Sequence, residues 1–182
     1  MEDIEIEYYE KGKDILLILT GIGGTTKGYE NKYEKIAKNV MEQHNFSVVV
    51  ATSPSGSWLH TEQNLYQVMS FIQSKRDNDF NVYAMGNSAG ANIVLWHSNK
   101  FPQIKKVLAV NPVMNINLHL FKSLQDTEKE IKIVFGELDM SSSFADLLPK
   151  SEKIKVDILP NIDHNFTGNL DLYIDLPNIY LF

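Results

Sequence analysis

Short apolar runs alternate with longer segments of helical periodicity from one end of the chain to the other. The run ILLILT at 15–20 is continuously apolar, which is typical of a strand buried on both faces of a sheet. Strands are predicted at 4–10, 15–20, 47–52, 80–85, 105–110, 132–136 and 153–159, and helices at 29–43, 61–76, 88–98, 116–125 and 143–149. The alternation predicts an α/β fold with a mainly parallel sheet of about seven strands and helices on both faces.

The length and net charge of the chain limit the classes of function that it can have. The 182 residues predict a single domain over 1–182, and a net charge of −6 with scattered lysines argues against binding to nucleic acid. The absence of cysteine excludes disulfides, thiolate metal sites and a cysteine nucleophile. No apolar stretch approaches the ~20 residues of a membrane span, and Met1 is followed by an acidic segment unlike a signal peptide. We therefore expect a cytoplasmic protein without a metal or cofactor, acting on a small molecule.

The segment GNSAG at 86–90 matches the pattern G-x-S-x-G and lies between a predicted strand and a predicted helix. In that context the pattern predicts a nucleophile elbow, a strained turn that projects the Ser88 hydroxyl above the sheet. Gly86 and Gly90 would lack side chains where strand and helix must pass closely. An ordinary glycine-rich loop is the alternative interpretation.

A second glycine cluster, GIGG at 21–24, follows the first buried strand. An oxyanion hole requires two backbone N–H groups fixed around the reacting carbonyl oxygen. We expect one from Ala89, directly after the serine, and the other from this loop, from Ile22. A phosphate loop is the alternative, but the GxGxxG spacing is missing and Lys27 precedes Gly28 rather than following it.

A serine hydroxyl needs a base to take its proton, usually a histidine oriented by a carboxylate. Of the five histidines, His164 follows the last predicted strand and a short loop, which places it at a carboxyl end of the sheet. His119 is the alternative candidate. His97 lies inside the helix after the serine, and we expect it to be a structural histidine.

The candidate acid lies in the segment FGELDM, which follows another predicted strand. We predict Asp139 as the acid, with Glu137 and Asp163 as alternatives. The resulting chain order is Ser88, Asp139, His164, which is the order of one of the three common serine-triad arrangements.

In these motifs the chain resembles the α/β-hydrolase family. LTGIGG stands at the family's oxyanion loop, GNSAG at its elbow, GELD at its acid and DHNF at its base, in the family's order and over nearly the whole chain. The resemblance implies the α/β-hydrolase fold and a Ser-Asp-His triad. Two departures are Thr20, where the family often has histidine, and Asn87, where His, Tyr or Asp is commoner. Residues 111–130 are too few for a sizeable cap, so we expect an open site.

A serine triad transfers acyl groups, so the sequence predicts a serine hydrolase that cleaves carboxylic esters through an acyl-enzyme intermediate. Peptidase and thioesterase activities are alternatives, because a triad does not select the leaving group. A non-catalytic module that binds small molecules is an alternative of a different class, against which the complete set of three residues argues. Further candidates for contact with the substrate are Gly23, Asn87, Trp58 and Phe166.

Overall fold

The structure is a computed structural model that describes residues 4–53, 58–76, 79–113 and 118–182. For residues 58, 59, 118 and 119 it describes the backbone alone. Among these residues, no helix has the length and apolar character needed to cross a membrane.

Strands in the described residues form one central sheet. They are β1 (Ile6–Tyr9), β2 (Ile15–Leu19), β3 (Ser47–Ala51), β4 (Val82–Asn87), β5 (Ile104–Val110), β6 (Glu130–Gly136) and β7 (Ile154–Leu159). Their order across the sheet is β1-β3-β2-β4-β5-β6-β7. Only β1 runs antiparallel to its neighbour, and all other neighbouring pairs are parallel. The predicted mainly parallel sheet of seven strands is confirmed.

Helices cover both faces of this sheet, as predicted. They are α1 (Lys32–His44), α2 (Trp58–Lys75), α3 (Ala89–His97), α4 (Leu118–Gln125) and α5 (Leu170–Tyr180). Buried side chains of α1 and α5 pack with one face, and those of α2, α3 and α4 pack with the other. The sheet is therefore the middle layer of three, and the residues that the structure describes add no sizeable cap to it.

The position of strand β2 in the sheet explains why its sequence is continuously apolar. Ile15, Leu17 and Leu19 belong to the core on the α2–α3 face, whereas Leu16 and Ile18 belong to the core on the α1–α5 face. All five side chains are buried. Successive side chains of a strand point to opposite faces, so a strand in the middle layer has no polar side.

Several helical segments differ from their sequence predictions. Helix α2 begins at Trp58, three residues before its predicted start at 61. The helix predicted over 29–43 starts three residues later, because Glu30 and Asn31 adopt positive φ angles of 49° and 57° that an α-helix cannot contain. Residues Tyr29–Asn31 form a short 3₁₀ turn instead. The helical candidate at 143–149 is a 3₁₀ helix over Met140–Leu147, and the apolar C-terminal segment packs as α5.

Candidate active site

The candidate site lies at the edge of the sheet where the parallel strands end. The glycine loop follows β2, Ser88 follows β4, Asp139 follows β6 and His164 follows β7. Because β2, β4, β5, β6 and β7 are parallel neighbours in that order, their carboxyl ends meet at one edge. Residues that are far apart in sequence are thereby brought to one place.

Ser88 occupies a strained turn between β4 and α3. Its backbone has φ 55° and ψ −116°, a conformation that non-glycine residues rarely adopt. Its N–H donates to the carbonyl of Val110 at 2.9 Å, which ties the turn to the end of β5. A Cβ on Gly86 would lie 2.3 Å from the carbonyl oxygen of Gly90, so glycine is required where the strand passes under the helix. The local geometry is that of the predicted elbow.

The structure brings Ser88, His164 and Asp139 together in a hydrogen-bonded row. The Nε2 atom of His164 lies 3.1 Å from the Oγ of Ser88. On the other side of the ring, Nδ1 of His164 lies 2.5 Å from Oδ2 of Asp139. Asp139 is buried, whereas the imidazole of His164 is partly exposed. A base between a hydroxyl and a buried carboxylate is the arrangement that activates serine as a nucleophile.

The loop that carries Asp139 is held by its own backbone. The N–H of Asp139 donates to the carbonyl of Gly136 at 3.0 Å, and the N–H of Leu138 donates to the carbonyl of Ile162 at 2.9 Å. The second carboxylate oxygen, Oδ1, accepts from the N–H of Ser141 at 2.9 Å. These bonds fix the carboxylate so that Oδ2 is left for the imidazole.

The two alternative acids are engaged elsewhere. Glu137 accepts a hydrogen bond from the backbone N–H of Asn161 at 2.9 Å. Asp163 accepts from the backbone N–H groups of Thr167 at 2.8 Å and Asn165 at 3.0 Å, and these bonds, with Thr167 first, hold the pKa of its carboxyl below the usual range. Both carboxylates therefore stabilise the loop around His164 and neither pairs with its ring.

The glycine loop beside Ser88 forms a tight turn. The N–H of Gly24 donates to the carbonyl of Gly21 at 3.0 Å, and Gly23 has a φ of 71°, as the third residue of a type II turn requires. A Cβ on Gly21 would lie 3.2 Å from the Cβ of Ser88, so the loop passes directly beside the serine. The N–H of Ile22 is not used in closing this turn, and the N–H of Ala89, at the first position of α3, has no acceptor within that helix.

Asn111 was not among the residues that the sequence singled out. It follows β5, is fully buried and has a φ of 44°. Its Oδ1 accepts from the N–H of Gly136 at 2.7 Å, and its Nδ2 donates to the carbonyl of His164 at 2.9 Å. One side chain thus joins the loop of the acid to the loop of the histidine. The only signal in the sequence is an asparagine directly after a buried strand, which also fits an ordinary turn.

The residues predicted to contact the substrate lie in different surroundings. Asn87 is the half-buried last residue of β4, and its Oδ1 is buried without a hydrogen-bond partner among the described residues. Gly23 has open space around its Cα. Phe166, predicted to contact the substrate, is 2% exposed and packs edge-on against Tyr173 in the core. The side chain of Trp58 lies outside the described residues.

Two of the remaining histidines, His97 and His44, have hydrogen-bond partners other than the serine. His97 is buried in α3, and its Nε2 lies 3.0 Å from Oγ1 of Thr61, as expected of a structural histidine. Nε2 of His44 lies 2.8 Å from Oδ1 of Asn178. His60 is exposed, and the side chain of His119 lies outside the described residues.

Comparisons with known proteins agree with this geometry at the level of fold. No protein-family model matches the chain, and the search of curated proteins finds no match. Among solved structures, Est1E from Butyrivibrio proteoclasticus has a TM-score of 0.75 at 13% identity, covering 98% of this chain and 92% of its own. XC6422 from Xanthomonas campestris, described as a serine hydrolase without lid, has a TM-score of 0.66 at 16% identity, covering 97% and 86%.

A third similar structure comes from work on the metagenome-derived lipolytic enzymes LipS and LipT. It has a TM-score of 0.69 at 11% identity and covers 97% of this chain and 96% of its own. These likenesses span nearly the whole length of each chain and include a structure that is itself without a lid. With the seven-stranded sheet and the strained serine turn, they show that the chain has the α/β-hydrolase fold.

Proposed function

We propose that the protein is a serine hydrolase that cleaves carboxylic esters. The observation that carries the proposal is the position of the His164 imidazole, with Nε2 at 3.1 Å from Ser88 Oγ and Nδ1 at 2.5 Å from Asp139 Oδ2. A serine in a strained turn has no structural need of such partners, whereas a nucleophile requires both. Similarity to structures described as a serine hydrolase and as lipolytic enzymes supports the same class.

The first half of the reaction forms an acyl-enzyme. Ser88 Oγ attacks the carbonyl carbon of the ester while its proton passes to Nε2 of His164. Asp139 holds the ring and stabilises the imidazolium. The backbone N–H groups of Ile22 and Ala89 stabilise the negative charge on the carbonyl oxygen. The C–O bond then breaks as Nε2 returns the proton to the departing alcohol oxygen.

Water completes the cycle through the same residues. His164 takes a proton from water, whose oxygen attacks the acyl carbon, and the acid product leaves as the proton returns to Ser88. The amino terminus of α3 begins at the residue after Ser88, so its dipole favours the oxyanion in both halves. Esters are proposed ahead of peptides and thioesters because of the lipolytic enzymes among the similar structures.

The test of the nucleophile is covalent labelling with a fluorophosphonate probe. Wild-type protein should gain one phosphonyl adduct by intact-mass spectrometry as fluoride leaves, and Ser88→Ala should gain none. Ser74→Ala, which removes an exposed serine at the end of α2, is the matched control and should label fully. Wild-type protein without an adduct would contradict the hydrolase proposal.

The test of the base is the rate of p-nitrophenyl acetate hydrolysis. His164→Ala should lower kcat by about 10³-fold or more, because the serine then lacks a proton acceptor. His119→Ala should stay near the wild-type rate. If His119→Ala were the inactive variant instead, the assignment of the base would be wrong.

A further inference from the structure

Three apolar side chains near Asp139 are exposed to solvent, where they contribute little to the stability of the fold. Val113, Leu138 and Met140 are 43%, 64% and 89% exposed. Leu138 and Met140 flank Asp139, whose own side chain is buried, so the loop turns the acid inward and the two hydrocarbon side chains outward. The backbone hydrogen bonds of Leu138 and Asp139 hold this arrangement in place. Exposed apolar side chains that cluster around one cavity, as these three do, are a feature of binding sites.

These three side chains line a cavity that also contains the catalytic pair. The cavity has a volume of about 410 Å³, and Asp139 and His164 form part of its wall together with Ser141, Asp163 and Asn165. The cavity is therefore continuous with the site at the imidazole. We propose that it is a subsite for the uncharged hydrocarbon part of the alcohol that leaves the ester, an inference that rests on the proposed function.

The order of the strands assigns the cavity to the alcohol rather than to the acyl group. The oxyanion loop follows β2 on one side of the serine, whereas the loops that line the cavity follow β5, β6 and β7 on the other side. The carbonyl oxygen must point toward the oxyanion loop. The departing oxygen must lie near His164 Nε2, from which it takes its proton, so the carbon chain attached to that oxygen extends toward the cavity.

The charges around the cavity favour a neutral occupant. Its two carboxylates, Asp139 and Asp163, already accept hydrogen bonds from His164 and from the histidine loop. Their negative charge disfavours a second anion, and no lysine or arginine lines the cavity within the described residues. Apart from the uncharged polar groups of Ser141 and Asn165, what the wall offers a ligand is the hydrocarbon of Val113, Leu138 and Met140.

The experiment compares two series of esters. Acetates of methyl, propyl and hexyl alcohol vary the leaving group, and methyl esters of acetic, butanoic and hexanoic acid vary the acyl group. Complete burial of one methylene raises kcat/KM by up to about fourfold. In a half-open cavity we expect about twofold per methylene. Over five methylenes we expect kcat/KM to rise roughly 30-fold from methyl to hexyl acetate in the wild type.

Replacement of the apolar wall should remove this rise in one series alone. With Leu138→Ser and Met140→Ser combined, the gain from methyl to hexyl acetate should fall below about fivefold, while the chain-length ratio of the acyl series stays as in the wild type. Leu147→Ser is the matched control, because Leu147 is exposed at the other end of the 3₁₀ helix that begins at Met140 and does not line the cavity. It should keep the full gain.

Two results would overturn the subsite and are distinct from failure of the function. If the double variant kept the gain for alcohols, or lost the ratio for acyl groups, the cavity would not hold the leaving group. If wild-type protein hydrolysed neither series and took no fluorophosphonate, the hydrolase proposal itself would fail, and the subsite with it.

Discussion

At the scale of single residues, Asn111 connects the two loops on which the proposed mechanism depends. Its amide accepts from the N–H of Gly136 at 2.7 Å and donates to the carbonyl of His164 at 2.9 Å. Asp139 and His164 follow separate strands, β6 and β7, and their loops are also joined by the hydrogen bonds of Leu138 to Ile162 and of Asn161 to Glu137. A fully buried amide with both ends bonded is costly to remove, since each partner is then left unsatisfied.

Two substitutions at Asn111 separate its side chain from its backbone conformation. Asn111→Gly keeps the φ of 44° accessible but deletes the amide, and Asn111→Ala deletes the amide and adds backbone strain. Both should lower kcat for p-nitrophenyl acetate about 10- to 100-fold with little change in KM, because the imidazole is misplaced relative to the serine.

Stability should distinguish the two variants where the rate does not. The free energy of unfolding, measured in urea, should be about 1 kcal/mol lower for Asn111→Ala than for Asn111→Gly, since alanine is strained at this φ. A wild-type kcat in Asn111→Gly would show that the two loops keep their relative position without the amide, and would contradict its positioning role.

At the scale of elements, structural features that depend on burial can be predicted from the sequence, whereas features that depend on contacts between loops cannot. Strand β2 could be predicted because both faces of a middle strand must be apolar. The elbow could be predicted because a strained turn under a helix requires glycine at 86 and 90. The start of α1 could not, because the positive φ angles of Glu30 and Asn31 carry no distinctive residue pattern. The burial of Phe166 could not be predicted, because an aromatic side chain near a candidate histidine fits a substrate contact and a core position equally well.

Helix α3 contains a buried histidine that makes stability depend on pH. Burial, helped by nearby Lys100 and opposed by Glu62, lowers the pKa of His97 from 6.5 to about 4. Between those two pH values the unfolded chain binds a proton that the folded protein does not. Stability is therefore complete above pH 6.5 and decreases as the pH falls toward 4, by about 3 kcal/mol in total.

Urea unfolding at pH 7, 6, 5 and 4 measures this dependence. His97→Gln, which keeps a polar group near Thr61 without a titrating ring, should show a flatter decline than the wild type over the same range. His60→Gln is the control, since His60 is exposed, and should follow the wild-type curve. Parallel curves for wild type and His97→Gln would show that His97 is not the source of the dependence.

At the scale of the whole molecule, the sheet separates two hydrophobic cores. One core lies under α2, α3 and α4, and the other under α1 and the C-terminal helix α5. The edge that carries the candidate site is formed by loops of both layers: the elbow leads into α3, and the histidine loop leads into α5. The site therefore depends on both cores, and we propose that they unfold as one cooperative unit.

A pair of substitutions on α5 tests this proposal. Leu176 is buried and Ile179 is exposed on the same helix. Leu176→Ala should lower the free energy of unfolding by about 2 to 5 kcal/mol through lost burial and the cavity left behind, and Ile179→Ala should change it by less than about 0.5 kcal/mol.

The two readouts are far-UV circular dichroism and tryptophan fluorescence, to which Trp96 contributes from the opposite core. If the cores are cooperative, Leu176→Ala shifts both urea midpoints equally although Trp96 is on the other side of the sheet. A shift by circular dichroism with an unchanged fluorescence midpoint would mean that α5 and its core unfold separately, and that the chain is not one cooperative domain.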